Sequence, residues 1–228
     1  NKRFISSNAN ILSSKRILSY IYQINIYLQK KNLQNTTIIL QLDNRLHTLI
    51  FYLAAIFSKT TICPLDPKLP KKRVFKIKKL VKANAVIKKI NLVENDFYKL
   101  GIFNLKDHNF LITFSSGTSG TPKGIVHSSD NLLGSSFSYS QLAGYNNKTK
   151  ILHCLPEFYL AGIINTFLAC FFSLSQIIVV DSFSKKSIFT IWNDIKKFNI
   201  NLVYLVPSIY SMLINFYPTY AKKVIKQN

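Results

Sequence analysis

At 228 residues, with 48% hydrophobic and 17% charged side chains, the chain can bury a substantial core; this balance excludes a disordered protein and fits one α/β domain or part of a larger one. The 30 Lys and Arg against 9 Asp and Glu give a formal charge of +21, which ordinarily points to nucleic acid or an anionic membrane. The cations are instead spread along the chain among abundant Asn and Ile, a pattern of AT-rich coding, so no specific nucleic-acid partner is expected.

In chain order, apolar spacing predicts a helix over 12–30, a strand over 37–42, a helix over 46–57, a strand over 60–64 and a helix over 70–82. The last carries Val74, Ile77, Leu80 and Val81 at helical spacing among many lysines, which makes it amphipathic with a solvated basic face. A short strand over 85–88 precedes a pattern-poor connection over 91–107. Next come a strand and loop over 110–124, a helix over 131–142, a strand over 151–155 and a helix from Ala161. A strand over 177–180, a helix over 185–198, a strand over 202–206 and a helix from Ser208 complete the series. The rhythm implies βαβ units, with largely parallel sheets flanked by helices. The uncharged run 162–180 approaches the ~20 residues of a membrane span. Asn165, Thr166, Ser173, Ser175 and Gln176 interrupt it, and a turn over 173–176 followed by a strand is expected instead.

The most informative stretch is 114–124, F-S-S-G-T-S-G-T-P-K-G. Ser115, Ser116, Thr118, Ser119 and Thr121 offer hydroxyls, Gly117, Gly120 and Gly124 let backbone approach a ligand, and Lys123 brings a mobile charge. Such a loop cradles phosphates. It is not a Walker A loop: Pro122 occupies the required glycine position and Gly124 stands where Ser or Thr should follow the lysine. A plain flexible linker fits poorly, because Phe110, Leu111, Ile112 and Phe114 lead in as a strand and 128–131, S-S-D-N, leads out as a helix-capping cluster.

The loop resembles the [YF]-T-S-G-[ST]-T-G-x-P-K-G signature of the adenylate-forming enzymes, the superfamily of acyl-CoA synthetases, luciferase and nonribosomal-peptide adenylation domains. Upstream, 52–67 is similar to that superfamily's helix-then-strand stretch ending P-L-D-P, with Ser58 and Lys59 where a glycine turn is usual and Cys63 at a valine position. Downstream, 155–162, L-P-E-F-Y-L-A-G, resembles P-L-F-H-x-x-G with Tyr159 at the histidine position, and 201–208 resembles the strand and Pro-Ser turn before an acyl-pocket helix.

The resemblance implies the N-terminal half of an AMP-binding domain occupying 1–228, with the second half and the lid domain absent. It further implies an AMP-forming acid–thiol ligase that uses ATP and Mg²⁺ to turn a carboxylic acid into an acyl-adenylate and passes it to CoA or the phosphopantetheine of a carrier protein. ATP phosphates would lie on Ser115, Ser116, Gly117, Thr118, Ser119, Gly120, Thr121, Lys123 and Gly124, and the acyl pocket would include Tyr159 and Gly162. The catalytic residues, the ribose-binding acid and the metal ligands are expected beyond this stretch, so the isolated chain is expected to be inactive. The alternatives are a non-catalytic remnant or split subunit, or a basic nucleic-acid or membrane-associated protein. Cys63, Cys154 and Cys170 have no CxxC spacing and lie in apolar runs, which suits buried thiols in the cytoplasm. His47, His108, His127 and His153 show no metal-ligand spacing, and a structural role is expected for His127.

Overall fold

The computed structural model describes residues 3–7, 11–95, 97–99, 106–115, 123–184 and 187–216. Among the described residues, two five-stranded sheets organise the fold. Sheet 1 contains β3 (Thr37–Leu40), β4 (Thr61–Pro64), β5 (Ala85–Ile87), β6 (Asn109–Ser115) and β7 (Lys123–Ser128), in the order β5-β3-β4-β6-β7. Sheet 2 contains β1 (Arg3–Ser7), β2 (Ile11–Ser13), β8 (Lys150–His153), β9 (Gln176–Val179) and β10 (Leu202–Val203), in the order β10-β8-β9-β1-β2. Pairing is parallel except for the β1–β2 and β6–β7 hairpins.

The side-chain alternation of the strands divides the core into layers. Ile38, Leu40 and Ile62 of sheet 1 share one apolar cluster with Ile151, Ile177 and Val179 of sheet 2. Helix α1 (Ser14–Lys30) and helix α2 (Arg45–Ser58) fill the space between them. The opposite face of sheet 1 (Ile39, Cys63, Ile112) is covered by α3 (Lys71–Leu80) through Val74. The opposite face of sheet 2 (Leu152, Cys154, Ile178) is covered by α6 (Ser187–Phe198) and α7 (Pro207–Phe216) through Ile188, Ile191, Ile209 and Leu213. Helix α2 is apolar nearly all round because it has a neighbour on every side. Its N-cap Asn44 accepts from the His47 N–H at 2.9 Å, and its C-cap Lys59 adopts a left-handed φ of 54° where a glycine turn is usual.

The parallel α/β architecture matches the sequence expectation, with four local differences. The N-terminal hairpin of β1 and β2 has no counterpart in the apolar spacing, and β7 intervenes between the glycine-rich loop and α4 (Ser129–Leu142). The helix expected from Ala161 is a π-helical segment, Gly162–Leu168, continuing as α5 (Ala169–Phe172), and β10 is shorter than the strand expected over 202–206. The uncharged run is helix, turn and strand, and among the described residues no helix is long and apolar enough to cross a membrane. The tail after Phe216 lies outside the described residues.

Truncating Phe51 to Ala removes a fully buried ring between the two sheets and is expected to cost about 3–5 kcal/mol. Phe75→Ala on the outer face of α3, where the ring is 57% exposed, is expected to change stability by less than about 0.5 kcal/mol. Urea unfolding of both variants checks the difference.

Candidate active site

The glycine-rich stretch joins β6 to β7, which pair antiparallel. β6 runs parallel to β4, so the loop leaves the C-terminal edge of the parallel strands, where α/β sheets bind ligands. Ser115 ends β6 and pairs with Lys123, the first residue of β7. Ser116, Gly117, Thr118, Ser119, Gly120 and Thr121 lie outside the described residues. Lys123 and Gly124 are exposed, and Gly124 faces Phe114 across the hairpin so closely that an added Cβ would lie 3.4 Å from the ring.

The intervening strand changes what the loop can use. The α4 N-terminus begins only at Ser129 and is already satisfied: Ser128 Oγ accepts from the Asn131 N–H at 3.3 Å, and Asp107 accepts from the Asp130 N–H and the Ser129 hydroxyl, each at 3.0 Å. The Asp130 N–H, with the neighbouring serine hydroxyls, holds the Asp107 carboxyl below the usual range. The α4 N-terminus therefore has no free donors in its first turn to offer an anion near the β6–β7 hairpin. His127 sits on β7, with Nε2 2.8 Å from Thr113 Oγ1 on β6, and ties the hairpin together.

The second half of the site follows β8. Tyr159 is about half exposed and stacks edge to face on Phe158 at 5.1 Å between centroids. Gly162 is buried at the start of the π-helical segment, where an added Cβ would meet Pro156 O at 3.0 Å, so the turn admits no side chain without shifting backbone. Beneath this loop lies a cluster that sequence reasoning missed. Arg45 contacts the Glu157 carboxylate, donates to Val180 O, and donates to Leu155 O at 2.6 Å. Tyr52 donates its hydroxyl to Glu157 O at 2.8 Å. His153 is fully buried, with Nε2 3.4 Å from Glu157 Oε1 in ion-pair range but outside good hydrogen-bond geometry, and Nδ1 2.6 Å from Thr166 Oγ1, which itself donates to Gly162 O at 2.7 Å. Acid and base are separated by four residues on the sequence, but Arg45 is more than a hundred away, and only folding brings it in.

Arg45 follows β3 in sheet 1, whereas Leu155 and Val180 follow β8 and β9 in sheet 2, so the C-terminal edges of both sheets meet at this cluster. Gln41, at the end of β3, secures the P-L-D-P turn by donating to the carbonyls of Asp66, Pro67 and Leu69 at 3.0–3.3 Å. A groove of about 490 Å³ sets Lys72, Arg73 and Lys76 of α3 beside Phe114 at the base of the hairpin. The three cysteines are buried free thiols; burial pushes Cys63 up to about 12 and Cys154 up to about 11, which suits inert core residues.

A family profile described as AMP-binding enzyme matches residues 102–227, more than half of the chain. The chain belongs to the AMP-binding enzyme family. The mitochondrial malonate–CoA ligase of Xenopus laevis is 29% identical over 112 residues, covering 49% of this chain and 19% of that protein. The malonate–CoA ligase of Arabidopsis thaliana is 30% identical over 125 residues, covering 52% of this chain and 21% of that protein. Among solved structures, the inhibitor-bound N-terminal domain of FACL13 from Mycobacterium tuberculosis has a TM-score of 0.78 at 16% identity, covering 93% of this chain and 61% of that one. The matched stretches span about a fifth of each curated relative. In this AMP-binding family member both the glycine-rich hairpin and the Tyr159 loop fall inside the matched residues.

Acid should weaken the cluster. Burial pushes the His153 imidazole below its ordinary 6.5, an effect only partly offset by Glu157. Burial alone would raise Glu157, but His153 and Arg45 outweigh it and hold the carboxyl below its ordinary 4.5. Both groups bind protons more readily when unfolded, so each contributes stability that is lost as pH falls, the histidine from about 6.5 downward and the acid from about 4.5 downward. His47 and His127, also lowered by burial, act in the same direction as His153. The urea midpoint is expected to fall in these two stages as pH drops from 7, and His153→Asn is expected to shrink the first stage and, because His153 helps hold Glu157 low, to shrink the second as well.

Proposed function

We propose that the chain is the N-terminal half of an AMP-forming acid–thiol ligase, in which it binds the polyphosphate of ATP and one end of a carboxylic acid. The observation that carries this reading is that β6 ends at Ser115 and β7 begins at Lys123, so the S-S-G-T-S-G-T-P-K-G stretch connects two strands beside the parallel strand β4, in a chain of the AMP-binding family. In the proposed reaction a carboxylate oxygen attacks the α-phosphorus of ATP, the bond to the β-phosphate bridging oxygen breaks, and pyrophosphate leaves. A thiol of CoA or a carrier protein then displaces AMP. Ser115, Ser116, Gly117, Thr118, Ser119, Gly120, Thr121, Lys123 and Gly124 would hold the β- and γ-phosphates in line and offset their charge. Lys123 fits this task because it is exposed at the hairpin's mouth. Mg²⁺ would screen phosphate charge when bound, but among the described residues no three His, Cys, Asp or Glu side chains gather to hold an ion, so no ligand for it is assigned.

Tyr159 and Gly162 would border the acyl pocket. Malonate is the first acid to test, since the matched relatives from Xenopus laevis and Arabidopsis thaliana are named malonate–CoA ligases. The cytoplasm is the compartment proposed, because the free buried thiols suit a reducing one, although the Xenopus laevis relative is named as mitochondrial. The basic surface is given a steering role toward anionic substrates rather than a polynucleotide role.

The purified 228-residue chain is expected to give no acid-dependent exchange of pyrophosphate into ATP. In a preparation that also contains the second half, Lys123→Ala is expected to lower kcat/KM for ATP about tenfold to a hundredfold, the equivalent of a charge-assisted hydrogen bond worth about 1.5–3 kcal/mol. Lys30→Ala and Lys82→Ala, at exposed sites elsewhere, are expected to change it less than about twofold. Binding of a random oligonucleotide by the same variants supplies the contrast: parallel losses for both ligands in all three would reduce Lys123 to part of a generic basic surface.

A further inference from the structure

Glu157 stands where the P-L-F-H motif carries leucine, so this turn of chain buries a carboxylate whose desolvation only its partners offset. Those partners are arranged as anchors for one loop. All three Arg45 nitrogens are used at the C-terminal edge of sheet 2: Nε on Glu157 Oε1, Nη1 on Val180 O, and Nη2 on Leu155 O at 2.6 Å. Tyr52, two turns further along α2, fixes Glu157 O at 2.8 Å. At the other end of the loop, Thr166 fixes Gly162 O at 2.7 Å and is itself bonded to His153 at 2.6 Å. Phe158 and Tyr159 hang between the two anchorages, with the Tyr159 N–H on Pro156 O and the Ile163 N–H on Tyr159 O, each at 3.1 Å.

The geometry points to Arg45 and Glu157 as positioning residues for Tyr159: the pair fastens the 155–162 loop to α2 and so sets where the acid-binding end of the pocket lies relative to the sheet that carries the phosphate loop. The functional meaning rests on the proposed role of Tyr159, whereas the fastening of the loop does not. The ionisable groups facing Glu157 are His153 from β8 and Arg45 and Tyr52 from α2, while the π-helical segment brings only the Thr166 hydroxyl into the cluster.

The test compares wild type, Glu157→Gln and the double variant Arg45→Met/Glu157→Leu, measuring amide hydrogen exchange by NMR and the fluorine spectrum of 3-fluorotyrosine placed at position 159. Glu157→Gln is expected to speed exchange at Tyr159 and Ile163 about tenfold or more, with the Ile39 and Ile62 amides in sheet 1 changed less than about twofold, and to broaden or split the single fluorine resonance of wild type. The double variant replaces the ion pair by apolar groups, so its urea midpoint is expected to return close to wild type while the loop stays unprotected. That separation of loop order from global stability is what a merely stabilising pair would not produce. Loop exchange as slow as wild type in either variant would overturn the inference, as would equal acceleration of loop and sheet amides in both. Should Glu157→Gln fail to fold, the double variant decides by itself. None of these readouts needs nucleotide or acid, so they fail or succeed separately from the adenylation assay.

Discussion

A helix buried on every side must satisfy its polar end groups with protein rather than water, and in this chain that demand falls on the first turn of α2. The helix is sandwiched between two sheets, apolar nearly all round, and its one large cation, Arg45, points at the strand ends of sheet 2. A largely buried guanidinium is costly unless its donors are occupied, and here a carboxylate and two carbonyls at strand ends occupy them. The same contacts that make the charge bearable join the two sheets at their C-terminal edges, so electrostatics and topology impose one constraint. Position on that shared edge is what brings the β6–β7 hairpin and the Tyr159 loop to the same side of the molecule.

The hairpin places a different physical demand on the chain. Many phosphate sites borrow the positive end of a helix, but the helix that follows this loop starts after a six-residue strand and its first N–H groups are already capped by Ser128 and Asp107. Among the described residues, the cations beside this hairpin include Lys123 on β7 and Lys72, Arg73 and Lys76 of α3, which line a groove with Phe114. Phe114 packed over Gly124 and the Thr113–His127 bond tie the two strands of the hairpin together.

By itself the sequence determined the alternation of strand and helix and the parallel sheets, because each is written in local spacing: period two or period 3.6 and capping residues. Buried, inert cysteines were legible for the same reason, since each lies in an apolar run. The strand β7 was hidden because Ile125 and Val126 are both largely exposed on an edge strand, so the period-two signal that normally announces a strand is absent. The π-helical segment was hidden because its polar Thr166 faces inward to His153 and its apolar spacing is that of an ordinary helix. What only the tertiary structure decided is the cluster of Arg45, Glu157 and His153. An arginine at a helix start and a glutamate in a loop both look like solvated surface residues on the sequence, and nothing local reveals that the packing of α2 between two sheets takes most of the surface of both out of water and makes each the other's partner.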